Sequence, residues 1–347
     1  VASEPNAEAS LAGGGPWSLA WRRLRRNRVA LGFLGLFVLI VAFVLAAPLW
    51  ASDVAHTGPN KSHTLGKVEV DGERREVVSP EGKPIGPQLF EADGRFFLGA
   101  DGRLGRDEMV RLMYGGRVSL FIGFASALIT VLLATVVGLL AGYYRGWTDT
   151  VISRAMDVIW AFPVMLLAIS LGLVLAVGGL KIGPLYIPSG SIWIPIVIIG
   201  VVYTPYMARP IRGEVLSLRE KEFVEAAVAQ GAGPLRIMFG ELLPNLSSTI
   251  IVFFTLSIAN NMLLEAALSF LGIGVQAPEA SWGTMIAGGF DLLSSAPQLT
   301  IIPSTMILLT VLSVNVFGDG LRDALDPNSK LRLEAHAGMP EPKGTAV

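Results

Sequence analysis

Long apolar runs separated by polar stretches make up most of this chain. Val29 to Trp50 holds no charged residue, and Val118 to Tyr143, Met156 to Leu180, Ile192 to Ala208 and Leu299 to Phe317 read similarly; Ser247 to Ile273 is a sixth run with one acid. A bilayer core about 30 Å thick takes roughly 20 apolar residues in helical form, because each backbone amide must find its partner within the helix where water is absent. The pattern predicts an all-α polytopic membrane protein with six transmembrane helices.

Composition points the same way. Of 347 residues, 52% are hydrophobic and 16% charged, whereas soluble domains carry roughly 25% charged residues. Cysteine is absent, which excludes a disulfide framework, a thiolate metal site and a cysteine nucleophile. With a net charge of −1, no global basic field exists to attract nucleic acid, and basic residues inform only through their positions.

Those positions predict orientation. Five arginines lie between Trp21 and Arg28, directly ahead of the first span, so the positive-inside rule places the N-terminus in the cytoplasm, and six spans return the C-terminus there. The segment from Arg209 to Asn245, with Arg209, Arg212, Arg219, Lys221 and Arg236, is then cytoplasmic, and the segment from Gly274 to Gln298, with no Lys or Arg, is external. Ala51 to Arg117 holds ten basic residues outside, but loops longer than about 60 residues translocate largely regardless of charge. The first run is too long for a signal-peptide core of about 7 to 15 residues, so it reads as a retained anchor.

In the long external loop, Asp71-Gly72 lies between Val68 to Val70 and Arg75 to Val78, and Asp93-Gly94 between Gln88 to Glu91 and Arg95 to Leu98. Such pairs predict hairpins, since a type I′ turn needs positive φ at both central residues; a small β-rich cap is expected. Arg106 to Tyr114 spaces Met109, Val110, Met113 and Tyr114 at helical intervals, predicting a surface helix along the interface. His56 and His63, with Asp53, fit no familiar ligand spacing, so no metal site is assigned.

The cytoplasmic segment carries Glu222, Phe223, Glu225, Ala226, Ala227 and Gly231, then Leu242, Leu243, Pro244 and Asn245 after a second short helix. Ala226, Ala227 and Gly231 with Phe223 predict a face that a partner approaches closely while the phenylalanine fills a pocket. Gly231 is suited to the left-handed conformation that ends a helix, and Pro244 to opening the return into the membrane. An ordinary helical hairpin on the membrane surface accounts for the same spacing.

Two acids fall within the apolar runs, Asp157 and Glu265. A charge near the bilayer centre costs at least about 2.5 kcal/mol and survives when it faces a cavity or a partner. Asn260, Asn261 and Glu265 predict a polar seam toward a translocation path or a partner subunit, or interhelical bonds that hold the bundle; Asp157 reads as part of that path or as a solvated helix end. Pro163, Pro195, Pro205 and Pro303 allow kinks in the predicted spans.

The stretch from Glu225 to Pro244 resembles the EAA loop of ABC importer permeases: Glu-Ala-Ala, three residues, Gly, nine residues, Ile, any residue, Leu, Pro. Glu225, Ala226, Ala227, Gly231, Leu243 and Pro244 match in register, and Glu241 replaces the isoleucine. Leu98-Gly99-Ala100-Asp101 leading to Gly105-Arg106-Asp107, Leu268 to Gly272 with Ser281-Trp282-Gly283, and Gly318 to Pro327 resemble the second permease of the dipeptide and oligopeptide importers. Ala100 for threonine and one extra residue depart from that pattern.

The resemblance implies a type I ABC importer (MetI-like) permease fold divided into a cytoplasmic segment 1–28, a first span 29–50, an external cap 51–117, a five-helix core 118–321 containing a coupling loop 209–246, and a cytoplasmic tail 322–347. It implies a bacterial cytoplasmic membrane location, a paralogous permease, two ATP-binding subunits that hold ATP and magnesium, an external binding protein, and a di- or oligopeptide substrate. Nickel chelates, glutathione and oligosaccharides are the alternatives within the branch. No phosphate-binding loop of the form Gly, four residues, Gly-Lys-Ser/Thr occurs, so this chain is expected to be a non-catalytic subunit that binds no cofactor. A secondary transporter calls for more ionisable residues at mid-membrane and repeat symmetry, and an intramembrane hydrolase for a base within the spans; His56, His63 and His336 all lie outside them.

Overall fold

The computed structural model of the chain describes residues 16–70, 73–89 and 94–325. The turn residues Asp71, Gly72 and Asp93, His336, and the terminal segments before residue 16 and after residue 325, including Asp326 and Pro327, lie outside the described residues.

The first apolar run forms α2 (Arg28–Leu45), preceded by α1 (Pro16–Leu24) and prolonged by α3 (Ala47–Leu49) and a π-helical turn, Trp50–Val54. Asn27 caps α2 by accepting the Ala30 N–H at 3.0 Å, satisfying one of the free amides at a helix start. The external loop contributes one antiparallel hairpin, β1 (Lys67–Val70) with β2 (Glu73–Glu76), in the register Lys67↔Glu76. The second expected hairpin is absent as a ladder among the described residues: Leu89 and Phe96 have positive φ, +41 and +55, which breaks the extended backbone. The arms meet instead through Gln88 N–H to Phe96 O and Leu89 N–H to Phe97 O. Val77, Ile85, Phe96 and Ala100 form a small core of their own beneath this loop.

Helix α4 (Glu108–Tyr144) is a single helix of 37 residues. The surface helix expected over Arg106 to Tyr114 is therefore corrected: it is the first part of α4, and Met109, Val110, Leu112 and Met113 are buried. The cause is Asp107, whose carboxylate accepts Val110 N–H at 3.0 Å and Phe96 N–H at 2.6 Å and so starts the helix well before the apolar run.

The third and fourth runs are both broken. Helices α5 (Gly146–Trp160) and α6 (Val164–Gly178) meet at 86° across Pro163. After a short hairpin, β3 (Leu180–Ile182) and β4 (Leu185–Ile187), α7 (Trp193–Val202) and α8 (Thr204–Leu218) meet at 41° just before Pro205. Proline lacks the N–H that would continue the ladder through each break. The chain continues through α9 (Glu222–Ala229), α10 (Pro234–Arg236), a π-helical stretch Ile237–Leu242, α11 (Leu243–Phe270), α12 (Trp282–Phe290) and α13 (Gln298–Leu325). Four helical stretches, 28–54, 108–144, 234–270 and 298–325, are long and apolar enough to cross a membrane singly, and each bent pair adds one more if it crosses as a unit.

The buried apolar residues form three main clusters. One joins α4, α8, α9 and α11; a second joins α2, α4, α11, α12 and α13; a third joins α4, α6, α7 and α11. Helices α4 and α11 run through all three. Glycines set the spacing: a Cβ on Gly138 would lie 2.7 Å from Ile211 Cγ2, and one on Gly142 2.6 Å from Val215 Cγ1. Four residues apart on α4, they let the α8 backbone approach as small residues do between membrane helices.

Candidate functional site

At one end of the bundle, α8, α9 and α10 form the loop singled out from the sequence. Helix α9 is short and ends at Gly231 with φ +81. Gly231 N–H bonds Val228 O at 2.9 Å and Ala232 N–H bonds Ala227 O at 3.0 Å, the paired bonds of a Schellman cap. A Cβ on Gly231 would meet nothing within 4 Å, so glycine answers to backbone conformation there. Pro244 opens α11 within its first turn, where a missing N–H costs nothing.

Val224 is buried, and Phe223 and Ala227 are half-buried against the chain's own core. Residues 223, 224 and 227 share the inner stripe of α9, with Phe223 left half-exposed at its edge. Glu225, Ala226 and Val228 point outward, and Val228 is 57% exposed. Beyond the cap, Leu235 and Phe239 are also exposed.

Arginines tie this loop to α5, a feature the sequence reading passed over. Arg212 binds Asp149 through two nitrogens at 2.5 and 2.6 Å, and Arg209 binds Asp157 at 2.5 Å. The Arg209 guanidinium also lies 3.6 Å above the Trp160 ring. Arg219 donates to the Tyr143 carbonyl, and Arg145 meets Glu220 at 2.5 Å. Asp157, expected along a path or at a solvated helix end, is thus one half of a clamp between α5 and α8.

The polar seam is split. Asn260 is exposed, whereas Asn261 is 0% and Glu265 1% exposed, so these two are enclosed among the chain's own helices. Neighbouring residues on a helix point about 100° apart, which puts Asn260 and Asn261 on different faces. Asn261 donates to the hydroxyls of Ser126, 3.1 Å, and Thr130, 3.4 Å, on α4. Glu265 accepts the Ser269 hydroxyl at 2.7 Å, with the Ser119 and Ser281 hydroxyls also beside it. Each serine oxygen receives a backbone N–H in turn: Val275 at 3.0 Å, Trp282 at 3.1 Å and Thr284 at 3.3 Å respectively for Ser269, Ser119 and Ser281. Glu265 is the hub that fastens α12 to α11 and α4.

At the opposite end, Asp101 holds Arg106 through two contacts of 2.6 Å, and Arg111 bonds Pro59 O at 3.1 Å. Burial raises the Asp107 carboxyl above the usual carboxylate range, against the pull of backbone N–H groups and His63. An apolar groove of about 820 Å³ opens between α2, α4 and α11, with Phe37, Val41, Phe121 and Phe124 in its wall and Arg117 and Glu279 among its few polar residues. Such a wall offers a polar backbone few bonding partners.

Known proteins resemble this chain. Residues 134–330 match the family described as binding-protein-dependent transport system inner membrane component, and residues 15–63 match the N-terminal TM domain of oligopeptide transport permease C. The chain is 36% identical to the dipeptide transport system permease protein DppC of Alkalihalophilus pseudofirmus, over 91% of each chain. It is 35% identical to the oligopeptide transport system permease protein OppC of Bacillus subtilis, covering 91% of this chain and 90% of that one, and 35% identical to the glutathione transport system permease protein GsiD of Pectobacterium atrosepticum, covering 91% and 92%. In fold it resembles an inward-facing structure of the MetNI methionine ABC transporter, with a TM-score of 0.51 at 19% identity over 63% of this chain and 97% of that one. The outward face of α9, its glycine cap, the membrane-length helices and these likenesses converge: the chain belongs to the family of inner-membrane permease components of binding-protein-dependent transport systems.

Proposed function

We propose that this chain is one of two related permease subunits in an ATP-driven importer that moves di- or oligopeptides into the cytoplasm by alternating access. The observation that carries the reading is α9, a glycine-capped helix with Glu225, Ala226 and Val228 facing outward, on a chain that is 36% and 35% identical to dipeptide and oligopeptide permeases. Separate subunits bind ATP and magnesium and dock on that face. Their closure pushes α9, and the arginine clamps pass the movement to α5. An external binding protein delivers the peptide, and the paralogous permease completes the path.

In this reading the chain crosses the membrane six times, each bent pair counting once, with both termini and α9 in the cytoplasm and the loop containing β1 and β2 outside as a small insertion. Glutathione, itself a tripeptide, is the second reading of the substrate, favoured by the 35% identity to a glutathione permease.

The test is co-purification of the wild type, Ala226→Arg, on the outward face of α9, and Gly231→Val, at its positive-φ cap, with the ATPase subunits, partner permease and binding protein encoded beside it. The wild type is expected to retain ATPases whose activity rises with peptide-loaded binding protein, and the variants to lose them. A wild-type chain that recruits no ATPase would falsify the importer reading. Stimulation by glutathione-loaded but not peptide-loaded binding protein would move the substrate to the second reading.

A further inference from the structure

Helix α5 turns 86° away from α6. With α6 crossing the bilayer, that angle lays α5 in the membrane plane, at the end of the bundle that carries the coupling loop. Helix α6 has 15 residues, about 22 Å of rise, which is less than the roughly 30 Å of hydrocarbon. Placing that shortfall at the end where α6 meets α5 sets Pro163 and the adjoining part of α5 at the leaflet boundary.

One side of α5 is taken up by the protein: Met156 is buried, Asp149 is held by Arg212 and Asp157 by Arg209. The side opposite Met156 presents Trp147, Val151, Arg154 and Val158, spaced i, i+4, i+7 and i+11, within an arc of about 60° at 100° per residue. Trp147 is 81% exposed, the most of any tryptophan among the described residues, and Val158 is 63% exposed. Arg154 is 80% exposed, and its 3.8 Å approach is to an Asp157 that Arg209 already holds at 2.5 Å. An indole, two valines and one unconsumed cation on an in-plane helix have the chemistry of a membrane interface: the indole sits at headgroup depth, the valines enter the acyl boundary, and the arginine meets phosphate.

We propose that α5 is an interfacial helix whose Trp147, Val151 and Val158 stripe is immersed in the inner leaflet and whose Arg154 binds the phosphate of an anionic phospholipid. The leaflet follows from the orientation proposed above, which labelling of Glu73→Cys with a membrane-impermeant maleimide from outside tests separately. Anchored on lipid by one side and gripped by Arg209 and Arg212 on the other, α5 gives the coupling-loop end of the bundle a support outside the protein.

The chain contains no cysteine, so single-cysteine variants need no altered background. Nitroxide labels on Trp147→Cys, Val151→Cys and Val158→Cys are placed in the full chain, assembled with its ATPases and partner permease in phosphatidylethanolamine and phosphatidylglycerol vesicles. Collision with oxygen and with a water-soluble nickel chelate is measured, with Glu73→Cys as the aqueous reference. The three labels are expected to favour oxygen while the reference favours nickel. Adding Arg154→Glu is expected to raise nickel access at residue 147 several-fold on phosphatidylglycerol vesicles and far less on phosphatidylcholine. Labels as open to nickel as residue 73 overturn the proposal by putting the stripe in water; labels shielded from both reagents overturn it by putting the stripe against another subunit.

Discussion

Arg212 on α8 grips Asp149 on α5 through two nitrogens, at 2.5 and 2.6 Å, so the helix leading into the coupling loop does not shift without acting on α5. The arginine is 30% and the acid 19% exposed; solvent screening discounts the pair, and its bidentate geometry restores part of that loss. A double-mutant cycle on Arg212→Ala and Asp149→Ala is expected to give a coupling of about 1 kcal/mol in thermal stability. Substrate uptake should fall in each single variant while ATPase subunits still co-purify. Loss of ATPase capture in Asp149→Ala would instead make the pair a folding element of the loop.

At Gly231 the prediction separates conformation from space. Positive φ penalises a side chain by about 1 kcal/mol while nothing crowds its Cβ. Gly231→Asn should keep most ATPase capture, because asparagine tolerates the left-handed region, and Gly231→Val should lose most of it. Equal retention by both variants would show that the cap does not set the shape of the docking face.

The Glu265 hub carries a stability prediction. Glu265→Ala leaves the Ser269 hydroxyl without its acceptor and empties a buried space beside Ser119 and Ser281, and is expected to cost about 2 to 4 kcal/mol, read as a lowered Tm of the purified chain. Asn260→Ala, on an exposed face, should change Tm little. Matching effects at the two positions would contradict the hub.

How legible was all this in the sequence? The apolar runs located the membrane helices, because a run such as Val29 to Trp50 has few other uses. They did not reveal which face of each helix packs. In a membrane protein the lipid side and the protein side are both largely apolar, so the inward face of α4 is marked only by small hydroxyl residues, Ser119, Ser126 and Thr130 at i, i+7 and i+11. Asn261 and Glu265 stand out in the sequence as polar groups in an apolar run, but their direction depends on Ser126 and Ser119 of α4, more than a hundred residues away in sequence. Pro163 and Pro205 marked the breaks without giving their angles, since proline permits a bend and its neighbours set it. Spacing leaves the direction of Phe223 open, because an apolar residue on a short helix serves an inner or an outer surface equally well.

Gly138 and Gly142 supply the signal that periodicity withheld. Gly138→Leu or Gly142→Leu should force α8 away and lower stability by about 1 to 3 kcal/mol or more, with Gly213→Leu as a control, because a Cβ there meets nothing within 4 Å. Thermal unfolding in detergent measures the difference. A control as damaging as the two test positions would refute the close-approach reading.

The length of α4 has a mechanical consequence. Its 37 residues extend about 55 Å, nearly twice a hydrocarbon core of roughly 30 Å. One end is pinned by Asp107 beneath the hairpin loop, and the other offers the Tyr143 carbonyl to Arg219 beside α9. A stiff rod held at both ends works as a seesaw: a tilt of about 10° about its middle swings each tip by about 5 Å in opposite directions. Movement of the hairpin-loop end and movement of α9 are then two ends of one displacement, with no break in α4 between them to absorb it.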